Sequence, residues 1–172
     1  PVGLQLLVRT AKDLEVCLAK EEQLSKIMKY SHFENIRAID LNFGCPSPAV
    51  IKEGAGPSLL KRRTKLVEIF TALKLWQENS SMPHIQAVGC KIRLGLNELE
   101  QERKVYLPVI QAANDCGLDY VVVHARHAKQ RSRDLPTWAA IGEAKSIAQM
   151  PIIGNGNVVT AADAQQLIAQ SG

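Results

Sequence analysis

Short apolar runs alternate with longer amphipathic stretches along the whole chain. Short apolar runs bounded by Gly, Pro or Asn are typical of buried strands, and apolar residues at spacings of three and four are typical of helices. The predicted strands are 2–8, 36–43, 85–94, 119–125 and 150–156. The predicted helices are 13–28, 63–77, 97–117, 135–149 and 160–170. This strict alternation predicts an α/β fold in which helices cover a parallel sheet.

Two prolines bear on where the predicted helices begin and break. Pro108 lies inside the helix predicted for 97–117, which therefore needs a kink or an early break. Gly117 follows that helix, as a C-cap residue would. Pro136 falls in the first turn of the helix predicted for 135–149, where proline is well tolerated.

Every predicted strand carries a polar residue near its carboxyl end. These residues are Gln5, Asp40, Asn42, Lys91, Arg93, His124 and Asn155. Side chains alternate between the faces of a strand, so Asp40 shares a face with Asn42, and Lys91 with Arg93. In parallel α/β folds, ligand-binding and catalytic groups gather at the carboxyl ends of the strands. We therefore expect one polar site at this edge of the sheet.

Two architectures fit five consecutive βα units, namely an open doubly wound sheet and a (β/α)₈ TIM barrel. Cations in the middle of a sheet, as at Lys91 and Arg93, are costly without an anionic partner. The mouth of a barrel that binds an anionic cofactor would remove that cost. Because a barrel has eight units, about three would lie outside this chain. The chain begins at Pro1, and we expect it to be part of a longer polypeptide.

Length, composition and charge indicate a globular protein without membrane spans. The 172 residues are enough for one domain with its own core, and 46% are hydrophobic. No apolar run approaches the roughly 20 residues of a membrane span, so we expect no membrane contact. The cysteines, which form no CxxC pair, suit a reducing compartment, so we expect a cytoplasmic protein. The net charge of +4 is mildly basic and is compatible with a polyanionic partner. Nothing in the sequence sets the oligomeric state, for which a monomer is the default expectation.

Four cysteines occur, and none belongs to a CxxC pair, so neither a metal site nor a redox dithiol is predicted. Cys17, Cys90 and Cys116 lie within periodic apolar segments and are expected to be buried thiols. Cys45 differs from them because Gly44 and Pro46 flank it, which marks a tight turn directly after a strand.

Basic residues follow two of the predicted strands. Lys52, Lys61, Arg62 and Arg63 come after Cys45, and the run from Arg126 to Arg133 comes after the fourth strand. Both runs are in loops that leave carboxyl ends of strands, so both should face the same mouth. Two cationic loops on one rim favour binding of a phosphate backbone over an ordinary solvated face.

The stretch NFGCPSPAVIKEGAGPSLLKRR, residues 42–63, resembles the signature of the tRNA-dihydrouridine synthases. Further strands and turns of that family are similar to the segments VGLQLL (2–7), KIRLG (91–95), VHARHAKQRS (123–132) and PIIGNGNV (151–158). The resemblance implies an FMN-binding (β/α)₈ barrel, of which residues 1–172 supply strands three to seven. The helical tRNA-binding domain of the family would lie outside this chain. The implied reaction reduces uridine in tRNA to 5,6-dihydrouridine, with NADPH or NADH as the reductant.

The resemblance also implies a role for each motif residue. Cys45 would protonate C5 of the uracil, which suits a thiol because thiols are mostly protonated at neutral pH. The implied flavin-binding residues are Gln5, Asn42, Lys91, Arg93, His124, Asn155, Gly156 and Asn157. Lys91 would face the N1–O2 edge of the flavin. The implied tRNA-binding residues are Lys52, Arg62, Arg63, Arg126, Lys129 and Arg131.

Two other functions remain open from the sequence. One is a different flavin barrel oxidoreductase that acts on free pyrimidines, which the two basic loops disfavour. The other is an inactive, truncated module that only binds RNA, which the missing barrel strands favour. Bound flavin in the intact protein would separate the second alternative from the enzymes.

Overall fold

A computed structural model describes residues 2–18, 35–80, 82 and 84–172 of the chain. Within these residues, five strands form one parallel sheet, ordered as in the chain. They are β1 (Val2–Leu6), β2 (Ile36–Phe43), β3 (Ala87–Arg93), β4 (Tyr120–His124) and β5 (Ile152–Asn155). The predicted parallel α/β fold is confirmed. Among the described strands the order never reverses, whereas a doubly wound sheet requires a reversal.

Seven α-helices connect or follow these strands within the described residues. They are α1 (Ala11–Leu18), α2 (Pro48–Lys52), α3 (Arg63–Asn79), α4 (Glu98–Glu102), α5 (Tyr106–Asp115), α6 (Ala139–Ile147) and α7 (Ala161–Ser171). A 3₁₀ turn at Gly56–Leu59 lies between α2 and α3. Because right-handed crossovers join neighbouring parallel strands, sequential strand order puts the main helices on one face of the sheet.

The hydrophobic core lies between that face and the helices. Leu41, Cys90 and Val121 pair in register across the three central strands, and all three are fully buried. Phe43 of β2 meets Phe70 of α3 edge to face, with ring centroids 5.9 Å apart. Burial of this apolar surface is the main favourable term in folding. The helix-covered face therefore holds the fold together.

The opposite face of the sheet is polar toward the carboxyl ends of the strands. Residues that pair side by side across neighbouring strands form four rows on this face. From the amino end of the strands to the carboxyl end, the rows are Gly3 with Ala38 and Ala87; Gln5 with Asp40, Gly89 and Tyr120; Asn42 with Lys91, Val122 and Ile153; and Arg93 with His124 and Asn155. Small side chains occupy the first row, and charged or polar side chains dominate the last two. The expected gathering of polar groups at the carboxyl ends is confirmed.

The predicted helix 97–117 breaks early, as its proline required. Lys104, between α4 and α5, has a positive φ of 51°, and the helix resumes as α5 at Tyr106. Pro108 then lies in the first turn of α5, where no intrahelical partner for an N–H exists. Asn97 caps α4 by accepting a hydrogen bond from the N–H of Glu100 at 3.1 Å.

The prediction that a helix begins at Leu135 is wrong, because α6 begins at Ala139. The N–H of Thr137 donates to the carbonyl of Ala125 at 2.7 Å, and the Trp138 indole donates to Gly156 at 2.9 Å. These bonds hold the segment before Ala139 in a non-helical path. Pro136 therefore precedes the helix instead of lying in its first turn.

Helix α1 begins at Ala11, two residues before the predicted start. Thr10 and Asp13 explain the earlier start, because each accepts a hydrogen bond from the backbone N–H of the other, at 3.1 Å in both cases. This is a capping box, which satisfies backbone N–H groups at the amino end of a helix. Residues 19–28 of the predicted helix lie outside the described residues.

Two further predictions, one on the cysteines and one on the loop after Cys45, are only partly met. Cys90 is buried and Cys116 is half-buried, but Cys17 is exposed, so the expectation of a buried thiol is wrong there. The loop predicted between Cys45 and the next helix contains α2 and the 3₁₀ turn.

Candidate active site

A cleft of about 190 Å³ opens at the carboxyl ends of β1 to β4. Its lining residues are Gln5, Asn42, Gly44, Cys45, Pro46, Lys91, Arg93 and His124. Six of these were predicted site residues, and they come from four strands that are far apart in the sequence. The structure therefore brings the predicted thiol, amides, cations and imidazole into one cleft.

Cys45 is held in the cleft by a turn that Asn42 organises. The Asn42 Oδ1 atom accepts hydrogen bonds from the backbone N–H groups of Gly44, at 3.0 Å, and Cys45, at 2.9 Å. This is an Asx turn, in which a side-chain amide closes the bend. Gly56 has a φ of +58°, and a Cβ there would lie 3.2 Å from the Cys45 carbonyl oxygen. The glycine thus lets the 3₁₀ turn pack against the backbone of Cys45.

The side-chain amides of Asn42 and Gln5 are joined across β1 and β2. The Asn42 Nδ2 atom donates to Gln5 Oε1 at 2.8 Å, and Gln5 Nε2 donates to Asp40 Oδ2. Asp40 is only 8% exposed, and burial raises its pKa, although the hydrogen bond from Gln5 and the charge of Lys91 oppose that shift. The sequence showed Asp40 on the same face as Asn42, but it did not show this contact with Gln5.

The two cations of β3 have different surroundings. The Arg93 Nε atom donates to the Gly44 carbonyl at 2.7 Å, and its Nη1 donates to the His127 carbonyl at 3.4 Å. Burial and the nearby Arg126 lower the pKa of the Arg93 guanidinium. Lys91 is half-buried, and among the described residues it forms no salt bridge. Arg93 therefore supports the cysteine turn, whereas the ammonium of Lys91 stays available to a ligand.

His124 is a neutral imidazole at physiological pH. Burial and then the positive charges of Arg93, Arg126 and Lys91 lower its pKa to about 4. Its Nε2 atom lies 3.4 Å from Nη1 of Arg126. Because a guanidinium can only donate, Nε2 must be the acceptor, and Nδ1 carries the proton. His124 can thus donate a hydrogen bond from Nδ1 without carrying charge.

The Asn155–Gly156–Asn157 turn borders the cleft through His124. Asn155 pairs with His124 in the sheet, and its carbonyl accepts from the N–H of Ala125 at 3.0 Å. Gly156 is buried with a φ of +126°, and a Cβ there would lie 3.4 Å from the His124 ring. Asn157 has a positive φ of 55°. A side chain at position 156 would therefore be strained and would press on the imidazole.

The predicted tRNA-binding cations fall into two groups. Lys52, Arg62, Lys129 and Arg131 are exposed, and no ion pair joins them to another described residue. Arg63 instead pairs with Asp115 at 2.8 Å, between α3 and the end of α5. Arg63 is therefore paired on the surface of the helical layer, where both side chains stay about half exposed.

Among the predicted tRNA-binding cations, Arg126 is the least exposed to solvent. It is 3% exposed, and its guanidinium donates to the carbonyls of Ser132, at 2.9 Å, and Asp134. These bonds close the loop that follows β4. Arg126 is thus a buried cation bonded to its own loop and to His124, and its contact with phosphate stays a prediction.

Glu100 is a buried carboxylate that sequence reasoning missed. Its Oε2 atom accepts from the N–H of Leu96 at 2.8 Å, and its Oε1 atom pairs with Lys61 at 2.8 Å. The ion pair joins the segment after Cys45 to the loop after β3. In the sequence, Glu100 is recognisable only as an acidic residue three positions after Asn97. That spacing is typical of the start of a helix and does not predict a contact between two loops.

The described residues contain neither a candidate metal centre nor a helix that could span a membrane. In the part of the chain that the structure describes, no group of three or more His, Cys, Asp or Glu side chains could hold a metal ion. Among the described helices, none is long and apolar enough to cross a membrane.

The sequence matches the dihydrouridine synthase (Dus) family over residues 5–172, and the chain therefore belongs to this family. It is 35% identical over 133 residues to a probable tRNA-dihydrouridine synthase of Helicobacter pylori strain J99, covering 77% of this chain and 37% of that protein. It is 33% identical over 135 residues to the probable tRNA-dihydrouridine synthase of Mycobacterium leprae, covering 78% of this chain and 33% of that protein.

A third relative carries a more specific name. The tRNA-dihydrouridine(16) synthase of Shigella flexneri is 33% identical over 135 residues, covering 78% of this chain and 40% of that protein. The chain thus spans well under half the length of these curated relatives.

Proposed function

We propose that this chain is the central part of the catalytic domain of a tRNA-dihydrouridine synthase, which reduces a uridine of tRNA to 5,6-dihydrouridine. The observation that carries the proposal is the cleft in which Cys45 meets Gln5, Asn42, Lys91 and His124. The curated relatives named tRNA-dihydrouridine synthase support the same reaction.

The fold proposed for the complete protein is a (β/α)₈ barrel, in which these strands are the third to the seventh. Five parallel strands in sequential order, with helices on one face, are what one part of such a barrel contains. In a closed barrel, the polar face described above would become the interior and the mouth. The exposed side chains of Val2 on β1 and Ile153 on β5 would then be covered by further strands.

The residues of the cleft fit an FMN cofactor. Flavins present carbonyl and ring-nitrogen acceptors, and Gln5 and Asn42 each offer amide N–H groups on the cleft. Lys91 would face the electron-rich edge of the ring, and His124 would donate from Nδ1. The Asn155–Gly156–Asn157 turn would receive the phosphate, because Gly156 keeps the backbone free of a side chain beside His124. Bound FMN, reduced by NADPH or NADH, would supply a hydride to C6 of the uracil.

Cys45 is the proposed proton donor to C5 of the uracil. Asn42 holds its backbone, and Arg93 holds the carbonyl of Gly44, so the thiol has a defined place on the rim. A positioned acid of this kind contributes roughly 10²–10⁴-fold to a rate. The exposed cations Lys52, Arg62, Lys129 and Arg131 would contact tRNA phosphates.

The test uses the protein expressed from its complete reading frame. The absorption spectrum of the purified protein, with mass analysis of any released chromophore, is expected to show bound FMN. Dihydrouridine formation is then measured on unmodified tRNA for the wild type and for Cys45→Ala. We expect the variant to keep FMN and to lose at least about 100-fold in rate.

Cys17→Ala is the matched control, because Cys17 is exposed on α1, outside the cleft. It should behave as wild type. Absence of flavin even after FMN is added would contradict the proposed enzyme, and normal turnover by Cys45→Ala would contradict the role of the thiol.

A further inference from the structure

Asp40 is a buried carboxylate beside the cleft, next to Gln5 of its lining, and the proposed reaction does not use it. It is 8% exposed, and its Oδ1 atom accepts no close hydrogen bond from a described residue, although the Tyr120 hydroxyl interacts with the carboxylate. A buried carboxylate without a close ion pair is costly, and most such groups are avoided. The protein therefore retains at this position a group that stability alone would not favour.

The row of the sheet that contains Asp40 is built around it. Gln5, Asp40, Gly89 and Tyr120 pair in register across four strands. A Cβ at Gly89 would lie 2.6 Å from ring carbons of Tyr120, so the glycine lets the phenol lie across β3. Tyr120 there interacts with Asp40, and burial followed by the charge of Asp40 raises the pKa of its hydroxyl. The carboxylate is thus held between Gln5 on one side and Tyr120 on the other.

A chain of three hydrogen bonds links the cysteine turn to Asp40, and in each bond the acceptor is on the side nearer Asp40. Gln5 Nε2 donates to Asp40, Asn42 Nδ2 donates to Gln5 Oε1 at 2.8 Å, and Asn42 Oδ1 accepts from the N–H of Cys45 at 2.9 Å. An amide can turn over and exchange its donor and acceptor, but a carboxylate can only accept and a backbone N–H can only donate. The two ends of the chain of bonds therefore determine how both amides face.

We propose that Asp40 is a positioning residue that sets the orientation of the Gln5 and Asn42 amides and, through Asn42, the turn that carries Cys45. The second N–H of each amide then remains for acceptor atoms of a ligand in the cleft. The catalytic consequence rests on the proposed function, whereas the effect on the turn depends only on the fold.

The test compares Asp40→Asn with wild type by hydrogen exchange at the cysteine turn. Pro46 and Pro48 have no N–H, so exchange over residues 44–48 reports on Gly44, Cys45 and Ser47. An asparagine at position 40 can donate as well as accept, so Gln5 is no longer held in one orientation. We expect exchange at Gly44 and Cys45 to become about tenfold faster, the effect of losing one hydrogen bond. If the enzyme acts as proposed, kcat should fall by a similar factor with an unchanged KM for tRNA.

A reciprocal exchange of the two side chains sharpens the test. In the double variant Gln5→Glu with Asp40→Asn, the acceptor-only group moves to position 5. Asn42 should again donate to position 5, so the protection of Gly44 and Cys45 should return to within about twofold of wild type. Restoration of protection when Gln5→Glu is added to Asp40→Asn would not occur if Asp40 only filled space.

Asp119→Asn is the matched control. Asp119 is also a carboxylate that accepts a backbone N–H, that of Val88 at 2.7 Å, but it precedes β4 at the opposite end of the sheet. This variant should leave exchange at Gly44 and Cys45 unchanged. If Asp40→Asn does not fold, Gln5→Met is measured instead, because it breaks the same chain of bonds at an exposed residue and should give the same loss of protection.

Unchanged protection in Asp40→Asn or Gln5→Met, or failure of the double variant to restore it, would overturn the positioning role. Because exchange needs neither flavin nor RNA, it is independent of the proposed reaction. A wild-type protein that lacks activity on tRNA would contradict the proposed function and leave the exchange result to decide the role of Asp40.

Discussion

The two faces of the one parallel sheet differ in almost every physical property. On the face toward the helices, Leu41, Cys90 and Ile92 are fully buried and apolar. On the other face, the neighbouring residues Asn42, Lys91 and Arg93 are half-buried and polar. Since the side chains of a strand alternate, a shift of one residue in any strand would exchange these two sets. The comparison teaches that stability and the candidate chemistry are carried by alternate residues of the same strands.

The largest effect on stability is expected on the helix-covered face. Ile92→Ala removes a fully buried side chain from the centre of the core. The free energy of unfolding, measured by urea denaturation, should fall by about 2–5 kcal/mol, because the substitution loses buried surface and leaves a cavity. A change below about 1 kcal/mol would show that the core between sheet and helices is not packed as described.

The adjacent residue, Lys91, is expected to behave in the opposite way. Lys91→Met keeps the length of the side chain and removes the charge on the cleft side. FMN affinity, followed by flavin fluorescence, should fall by about ten- to a hundredfold, as expected for a charge-assisted hydrogen bond. The free energy of unfolding should change by less than about 1 kcal/mol.

Lys12→Met is the control for the loss of one lysine charge, because Lys12 is exposed on α1 and pairs only with Glu15 at 3.6 Å among the described residues. It should leave FMN affinity unchanged. If Lys91→Met binds FMN as well as Lys12→Met does, Lys91 does not face the cofactor.

A smaller, pH-dependent effect is expected from His124. Its pKa is about 4 in the folded protein, against 6.5 for an ordinary histidine. Between these values the unfolded chain binds a proton that the folded protein does not, so stability falls as the pH falls from about 6.5 and the loss is complete below about 4. His124→Asn should remove this part of the pH dependence, measured by denaturation at pH 7, 5.5 and 4.5.

His84→Asn controls for replacing a histidine as such, because His84 precedes β3, at the opposite end of the sheet from the cleft. If His124→Asn and wild type lose stability in parallel between pH 6.5 and 4, His124 is not held neutral by its surroundings.

The smallest effects are expected from single surface cations. Lys52→Ala and Arg62→Ala should each weaken tRNA binding modestly and reduce the slope of log K against log salt by about 1. Arg63→Ala should leave that slope unchanged, because the guanidinium of Arg63 is paired with Asp115. Filter binding over a range of salt concentrations measures all three. An equal loss of slope for Arg62 and Arg63 would contradict the assignment of Arg63 to the helical layer.

The order of elements could be predicted because it depends on local patterns. Apolar alternation and helical spacing act over a few residues, and the five strands appear where those patterns placed them. The predicted start of α6 was wrong because bonds from Thr137 to Ala125 and from Trp138 to Gly156 hold the preceding segment. Those bonds join residues 12 to 18 positions apart, and no local pattern contains them.

The composition of the cleft could be anticipated in the same way, although its internal contacts could not. Polar residues at strand ends and the Asn-x-Gly-Cys-Pro sequence placed Gln5, Asn42 and Cys45 in one region. That Gln5 connects Asp40 to Asn42 depends on the register between β1 and β2, which pairs Gln5 with Asp40. Register is a tertiary property, because it is set by which faces are buried together.

The sequence by itself determined the alternation of strands and helices, the set of chemical groups at the strand ends and the tight turn at Cys45, since each follows from the properties of neighbouring residues. Only the tertiary structure decided which charges are free. Arg62 and Arg63 are adjacent and chemically identical, yet Arg63 meets Asp115, a residue 52 positions later in the chain. Arg126 is buried because its own loop folds back to offer carbonyl groups. The use of a charge depends on which partners the fold brings within a few ångströms, because ionic and hydrogen-bonding energies decline steeply with distance.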